Sequence, residues 1–125
     1  LLKPYQQLDE IDKESNRFNV RNIPTKLATA GYIMVPAKSE QKHIDFPGVD
    51  LEKLARLEHE LYVRTKLDQG FTLGEPTKEN PWRNPYLEEW DKIPEKIKEL
   101  DRDMIRGIPT ILAKAGYTVV KLAED

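Results

Sequence analysis

Glu58 and His59 are the two side chains whose position in the sequence suggests chemistry most directly. Glu58 falls between Leu51 and Leu54 on the apolar face of a predicted helix, where an unpaired carboxylate would be costly. It must therefore pair with a Lys or Arg, reach solvent at an edge, or contact a ligand. His59 lies at the flank of the same face, where a hydrogen-bonded structural role and a ligand contact are both open.

Two arginines and one aromatic ring extend the candidate set. Arg102 follows Asp101, and Arg17 follows Asn16 at the corresponding place in an earlier segment. Because Arg guanidinium groups match phosphate oxygens, this pair could hold phosphates; helix capping with salt bridges is the alternative. Phe71 stands between two glycines and could stack on a planar ligand or pack in the core beneath a helix.

An aromatic cluster follows in a proline-rich stretch. Trp82, Tyr86 and Trp90 recur at a spacing of four, among Pro81, Pro85 and others. Aromatic side chains dominate the energetics of protein interfaces, so these residues are a candidate interaction surface. The alternative is that they fasten the loop to the core.

The remaining chemistry argues against an enzyme. His43 and His59 are 16 positions apart, and no carboxylate cluster stands at ligand spacing, so we expect no metal site. The sequence also contains neither a nucleophile–base pair nor a glycine loop that would cradle phosphates, and it indicates no cofactor.

The composition limits the kinds of partner that the chain could bind. The net charge is −2 with acids and bases interleaved, which argues against a nucleic-acid partner. No run approaches the roughly 20 apolar residues of a membrane span. Cysteine is absent, so no disulfides form, and we expect a cytoplasmic protein.

One segment occurs twice and organises the chain. Residues 23–32 and 108–117 share eight of ten letters at a shift of 85 positions. Each copy is predicted to be a helix that ends at a glycine and continues into a strand. Pro24 and Pro109 fall inside the helices and predict a kink or restart just before them. The helix of the second copy has an apolar stripe made of Ile97, Leu100, Met104, Ile105, Ile108, Ile111, Leu112 and Ala115.

The intervening residues predict a further helix and strand. Residues 51–69 form an amphipathic pattern, with Asp50 as the expected N-cap and Gly70 as the end. A short strand over 71–73 and a loop over 75–85 follow. The first copy has no counterpart of residues 51–85 before it. We expect a fragment of a longer protein, with an exposed stripe that would favour a homodimer.

Several motif blocks together resemble a known family. They are Leu54-Ala55, His59, Leu61-Tyr62, Gly70-Phe71-Thr72-Leu73-Gly74, Asn84-Pro85-Tyr86-Leu87, Trp90, Ile93-Pro94-Glu95, Asp101-Arg102 and Gly116-Tyr117. In order and spacing they resemble the ryanodine-receptor repeat, or RyR domain, in its bacterial type. The resemblance covers residues 51–122 fully and residues 4–35 as the second half of a unit.

The resemblance implies a fold and a function. It implies a mainly α fold with short antiparallel strands and tandem units related by an approximate two-fold. The domains would be residues 1–36, the C-terminal half of a first repeat, a linker over 37–50, and a complete repeat over 51–125. The implied function is non-catalytic sensing of a ligand such as an adenine nucleotide, with Phe71 stacking on the base.

We therefore expect a ligand site between the two copies. Its residues would be Phe71, Glu58, His59, Arg102 and Arg17. The alternative function is a structural or protein–protein interaction module that uses Trp82, Tyr86 and Trp90.

Overall fold

The computed structural model describes residues 21–37 and 45–122 of the 125-residue chain. The predicted mainly helical fold with short strands is confirmed. The elements, in chain order, are α1 (Ile23–Thr29), β1 (Tyr32–Pro36), α2 (Gly48–Asp68), β2 (Thr72–Leu73), β3 (Arg83–Asn84), a 3-10 turn (Trp90–Lys92), α3 (Glu95–Arg106), α4 (Ile108–Lys114) and β4 (Tyr117–Lys121). Within the described ranges, no helix has the length and apolar character needed to cross a bilayer.

The two copies of the repeated segment fold alike. α1 leads into β1, and α4 leads into β4, each through a glycine with positive φ, Gly31 at 83° and Gly116 at 85°. A side chain at either glycine would be strained, because L residues rarely adopt this conformation. The predicted restart before Pro109 is confirmed: α3 ends at Arg106 and α4 begins at Ile108.

β1 and β4 form an antiparallel ladder that joins the copies. Met34 lies opposite Val119, and these two residues are themselves equivalent under the 85-residue shift. The hydrogen bonds that flank the ladder are equivalent too: the amide of Ala37 donates to Gly116, and the amide of Leu122 donates to Gly31. The register therefore maps onto itself when the copies are exchanged.

The strands of a smaller sheet run parallel, whereas the prediction was antiparallel strands. β2 pairs with β3 in parallel, with Thr72 opposite Arg83 and Leu73 opposite Asn84. β3 lies in the stretch predicted to be a loop. Its two residues are too few to show an alternating pattern, so the sequence contained no strand signal there.

α2 begins at Gly48, earlier than predicted, and its N-cap is Pro47 rather than Asp50. The predicted cap was wrong because the carboxylate of Asp50 is engaged elsewhere, as described below. The predicted end at Gly70 is confirmed, since α2 ends at Asp68 and Gly70 has a φ of 97°.

α2 packs along α3 and also reaches α1, so it covers residues of both copies. The core beneath it includes Ile23, Leu27, Ala30, Tyr32, Leu54, Ala55, Trp90, Ile93, Ile105, Ile108, Leu112 and Val119.

The apolar residues of α3 and α4, predicted to form a single stripe, lie in two lines that differ in burial. One line, Ile105, Ile108 and Leu112, is buried in the core. The other line consists of Leu100, Met104 and Ile111, which are exposed. Burial follows the line that faces α2 and the sheet, a distinction that spacing alone does not make.

Asp50, in the first turn of α2, ties this helix to both strands of the ladder. Its Oδ2 accepts a hydrogen bond from the Tyr32 hydroxyl at 2.6 Å and another from Lys121 Nζ at 2.6 Å. These bonds hold the pKa of Asp50 below its usual range. Burial, and the charge of Asp50, raise the pKa of the Tyr32 hydroxyl to about 12. The start of α2 is thus positioned by one charge-assisted network.

Replacing Asp50 with Ala should destabilise the fold by about 1–3 kcal/mol at neutral pH, because the buried Tyr32 hydroxyl loses its acceptor. The stabilisation belongs to the ionised carboxylate, so it is lost as pH falls through the lowered pKa. Urea unfolding at pH 7 and pH 3 measures both effects. Asp68→Ala, at the exposed end of α2, is the matched control. A loss for D50A that does not shrink on acidification would contradict this assignment.

Candidate functional site

Glu58 forms a buried ion pair with Lys26, which connects α2 to α1. Both side chains are 3% exposed. A pair buried in this way must be satisfied internally, because either charge alone would carry a large desolvation cost. Of the readings open for Glu58, pairing with a lysine is the one the structure confirms.

His59 is buried next to Glu58 and lies among aromatic rings. Its Nε2 is 2.5 Å from the backbone oxygen of Glu88, so this nitrogen carries the proton and donates. Its ring centroid is 6.4 Å from that of Tyr62 and 6.0 Å from that of Trp90. This pattern matches a hydrogen-bonded structural histidine at the end of a groove, described below.

Asp101 faces His59 from α3. Its Oδ2 is buried, has no hydrogen-bond donor among the described residues, and lies 3.8 Å from His59 Nδ1. Burial, helped by the negative charge of Glu58, raises the pKa of Asp101 to about 7. The carboxyl therefore holds its proton at pH values where an aspartic acid is normally ionised.

Arg102 is surrounded by carboxylates. Its Nε and Nη2 donate to the two oxygens of Glu52 at 2.9 and 3.0 Å. Its Nη1 donates to Glu95 at 2.5 Å and to Glu99 at 3.2 Å. These bonds raise the pKa of the guanidinium above its ordinary value. Its positive charge is thus already neutralised by side chains of α2 and α3, which matches the salt-bridge reading of this residue.

Phe71 is buried beneath the loop after β2. Its ring centroid lies 5.2 Å from that of Trp82, and Lys66 Nζ lies 4.9 Å from the centre of the Phe71 ring. The ring is 7% exposed, so it offers little surface to a ligand. Phe71 and the half-buried Trp82 instead close the loop onto the end of α2.

Trp90 and Tyr86 also pack inward. Trp90 is buried, with Lys98 Nζ 5.6 Å and the Arg102 guanidinium 5.7 Å from its ring centroid. Tyr86 is half-buried against the core, and its amide donates to Asn84 at 2.8 Å. Of the three aromatics of the predicted interaction surface, Trp90 and Tyr86 thus pack with the core, and Trp82 packs against Phe71.

A groove of about 770 Å³ lies between the exposed side of α2 and residues 87–92. Arg56, Val63, Arg64 and Leu67 of α2 form one wall. The other groove residues are His59, Glu60, Asp68, Leu73, Leu87, Glu88, Glu89, Trp90, Asp91 and Lys92. The groove therefore combines an apolar surface with charges of both signs.

The predicted ligand site does not form one cavity. His59 and Trp90 border the groove, whereas Glu58, Phe71 and Arg102 do not. Arg17 lies outside the described residues. The groove residues of α2 were missed because Arg56, Arg64 and Leu67 occupy the face opposite the apolar stripe. The available signal was Val63 and Leu67, two apolar residues four positions apart among the polar residues of that face.

The long α2 and the paired helix–strand copies define a small, mainly helical module. The family model for the RyR domain matches residues 49–121, more than half of the chain. The chain therefore belongs to the RyR domain family. No curated protein matches it.

The Lys26–Glu58 pair predicts a non-additive response to mutation. Lys26→Met or Glu58→Leu alone should cost about 3–5 kcal/mol, since each leaves the other charge buried and unpaired. The double variant should regain most of that loss, because two apolar side chains of similar volume need no partner. Urea unfolding of the four proteins gives the coupling energy.

An exposed pair provides the control for this cycle. Arg106→Met with Glu99→Gln, on the surface of α3, should change stability little and additively. Additive losses at Lys26 and Glu58 would contradict a buried ion pair.

The raised pKa of Asp101 predicts that the stability of the fold depends on pH. With a pKa of about 7 in the fold and an ordinary value of 3.8, Asp101 binds its proton more tightly when folded. Its contribution to stability is therefore present at pH 4 and declines as pH rises towards 7. Asp101→Asn should raise the melting temperature by a few degrees at pH 8 relative to wild type, and by much less at pH 4.

The groups facing Asp101 are His59 and Glu58 of α2, and Lys26 of α1 through its pair with Glu58. Asp103→Asn, at an exposed position of the same helix, controls for a general effect of the amide. A difference between D101N and wild type that is the same at pH 4 and pH 8 would refute the assignment.

Proposed function

We propose that this chain is a non-catalytic binding module and that its ligand occupies the groove between α2 and residues 87–92. The observation that carries the proposal is the size and chemistry of that groove. Its volume of about 770 Å³ falls in the range of small-molecule sites, which are roughly 300–1,000 Å³. The proposal keeps the predicted sensing role and moves the site from Phe71, Glu58 and Arg102 to the outer side of α2.

The ligand class follows from the groove side chains. Leu67 and Leu73 are 53% and 52% exposed, so they offer apolar surface to a planar group such as a purine. Arg56, Arg64 and Lys92 supply positive charge for phosphate oxygens, and the weak contact of Arg56 with Asp91, at 3.7 Å, leaves its guanidinium available.

The carboxylates of the groove also limit how much negative charge the ligand can carry. The three cations share the groove with five carboxylates, Glu60, Asp68, Glu88, Glu89 and Asp91. The carboxylates would repel a highly charged triphosphate. We therefore infer a nucleotide with one or two phosphate charges, rather than a triphosphate.

A second candidate is a protein-interaction module that uses the same groove. The observation favouring it is the pair of exposed leucines beside an excess of carboxylates, which suits a basic amphipathic segment. This reading moves the predicted interaction surface from Trp82, Tyr86 and Trp90 to Leu67 and Leu73.

We further propose that the two copies are related by an approximate two-fold axis that passes between Met34 and Val119. The support is the ladder register, which maps onto itself under the 85-residue shift, and the matched flanking hydrogen bonds. A cytoplasmic setting stays a prediction.

A thermal-shift comparison tests the nucleotide proposal. Adenosine and guanosine monophosphates should raise the melting temperature by several degrees at millimolar concentration, and the triphosphates by less. Arg64→Gln should reduce the shift at least threefold, because a phosphate contact is lost. Inorganic phosphate is the ligand control, and Lys96→Gln, at an exposed position on α3 outside the groove, is the matched variant.

The same experiment separates the two candidates. No shift with any nucleotide would overturn the nucleotide proposal. Binding of a basic amphipathic peptide that is lost in Leu67→Ser, and unaffected by Ile33→Ser at an exposed position of β1 outside the groove, would then assign the groove to a protein partner.

A further inference from the structure

The repeat supplies an internal comparison between equivalent residues in different surroundings. Under the 85-residue shift, Lys26 corresponds to Ile111 and Tyr32 corresponds to Tyr117. Lys26 and Tyr32 are each 3% exposed. Ile111 is 45% exposed and Tyr117 is 41% exposed. These two positions are therefore buried in the first copy and exposed in the second.

α2 contributes to the burial of both residues in the first copy. Glu58 of α2 pairs with Lys26, and Asp50 of α2 accepts the hydrogen bond of the Tyr32 hydroxyl. The two acidic residues are eight positions apart on one helix, and the two residues that they contact lie on α1 and β1. An α-helix is thus the element that fits against a unit of this kind.

At the two corresponding positions the second copy carries Ile111 and Tyr117, and Leu100 and Met104 of α3 are apolar as well. We define the helix-docking face as Leu100, Met104, Ile111 and Tyr117, all of which are exposed. Met104 and Ile111 border a cavity of about 70 Å³ whose walls also include Lys26 and Glu58. The face therefore begins next to the buried ion pair, where a further unpaired charge would be unfavourable.

We propose that the helix-docking face binds an amphipathic α-helix of a partner protein, in the way that α2 covers the first copy. The chemistry of this helix follows from the substitutions between the copies. Tyr117 keeps the hydroxyl of Tyr32, so the partner helix carries an Asp or Glu in its first turn. Ile111 replaces Lys26, so the residue eight positions later is Leu, Ile or Met rather than Glu.

A synthetic peptide of residues 47–69 with Glu58→Leu has this chemistry and serves as the probe. Labelled peptide is titrated with the full chain, and fluorescence anisotropy reports binding. The unsubstituted peptide should bind at least tenfold more weakly, since its Glu58 would face Ile111. Ile111→Glu in the chain should weaken binding of the substituted peptide at least tenfold, and Tyr117→Phe should weaken it several-fold.

Two controls make the result specific to this face. Val49→Glu in the chain, at an exposed position in the first turn of α2, should leave binding unchanged, and circular-dichroism melts verify that every variant is folded. If the peptide displaced native α2 instead, the order of affinities would reverse, because the substituted peptide would leave Lys26 buried without its partner.

Three results would overturn the proposal. The first is no binding of the substituted peptide at millimolar chain concentration, and the second is equal binding to wild type and Ile111→Glu. The third is a dimer in sedimentation velocity without peptide that Ile111→Glu converts to a monomer. That last result would assign the face to a second copy of the chain.

Discussion

Burying Lys26 and Glu58 against each other fixes where α2 can lie, and most other features depend on that helix. Two charges that are both removed from water tolerate little displacement, because separation leaves each with its desolvation cost. The second constraint is Asp50, which meets Tyr32 and Lys121 at the start of the same helix. Two polar contacts eight residues apart set both the position of α2 along its axis and its rotation.

The same constraints determine which side chains of α2 remain outside. With Glu58 directed at α1 and Asp50 directed at the ladder, Arg56, Arg64 and Leu67 are turned towards residues 87–92. His59 closes the inner end of the groove through its bond to Glu88. The groove thus follows from how the buried face of α2 is held in place.

Sequence patterns predicted much of the fold because the main elements have strong local signals. The two glycines with positive φ, the prolines and the eight repeated letters placed α1, α4 and both ladder strands correctly. Local patterns could not predict β3, whose two residues have no period, or the division of the apolar stripe, which depends on what packs opposite each residue. Glu58 shows what the sequence can and cannot identify. Its position on an apolar face indicated a special role, but only the fold identifies Lys26, 32 residues earlier, as its partner.

The candidate site was less predictable than the fold for a physical reason. Phe71 and Arg102 have the side chains that ligands use, but hydrophobic packing and nearby carboxylates satisfy both within the protein. A residue type shows what a group is able to bind, whereas availability depends on neighbours distant in sequence. Most of the groove residues are ordinary surface positions that come close together only when residues 87–92 fold back onto α2.

The ladder between β1 and β4 also has a consequence for the order in which the protein assembles. Tyr32 pairs with Lys121, so the first strand has no partner until nearly the whole described chain has been made. At about 5–20 residues per second of synthesis, β1 waits several seconds with its hydrogen-bonding edge unpaired. Lys26 must likewise await Glu58 before it can be buried. The nascent first copy therefore lacks both of these partners until α2 and the second copy have been synthesised.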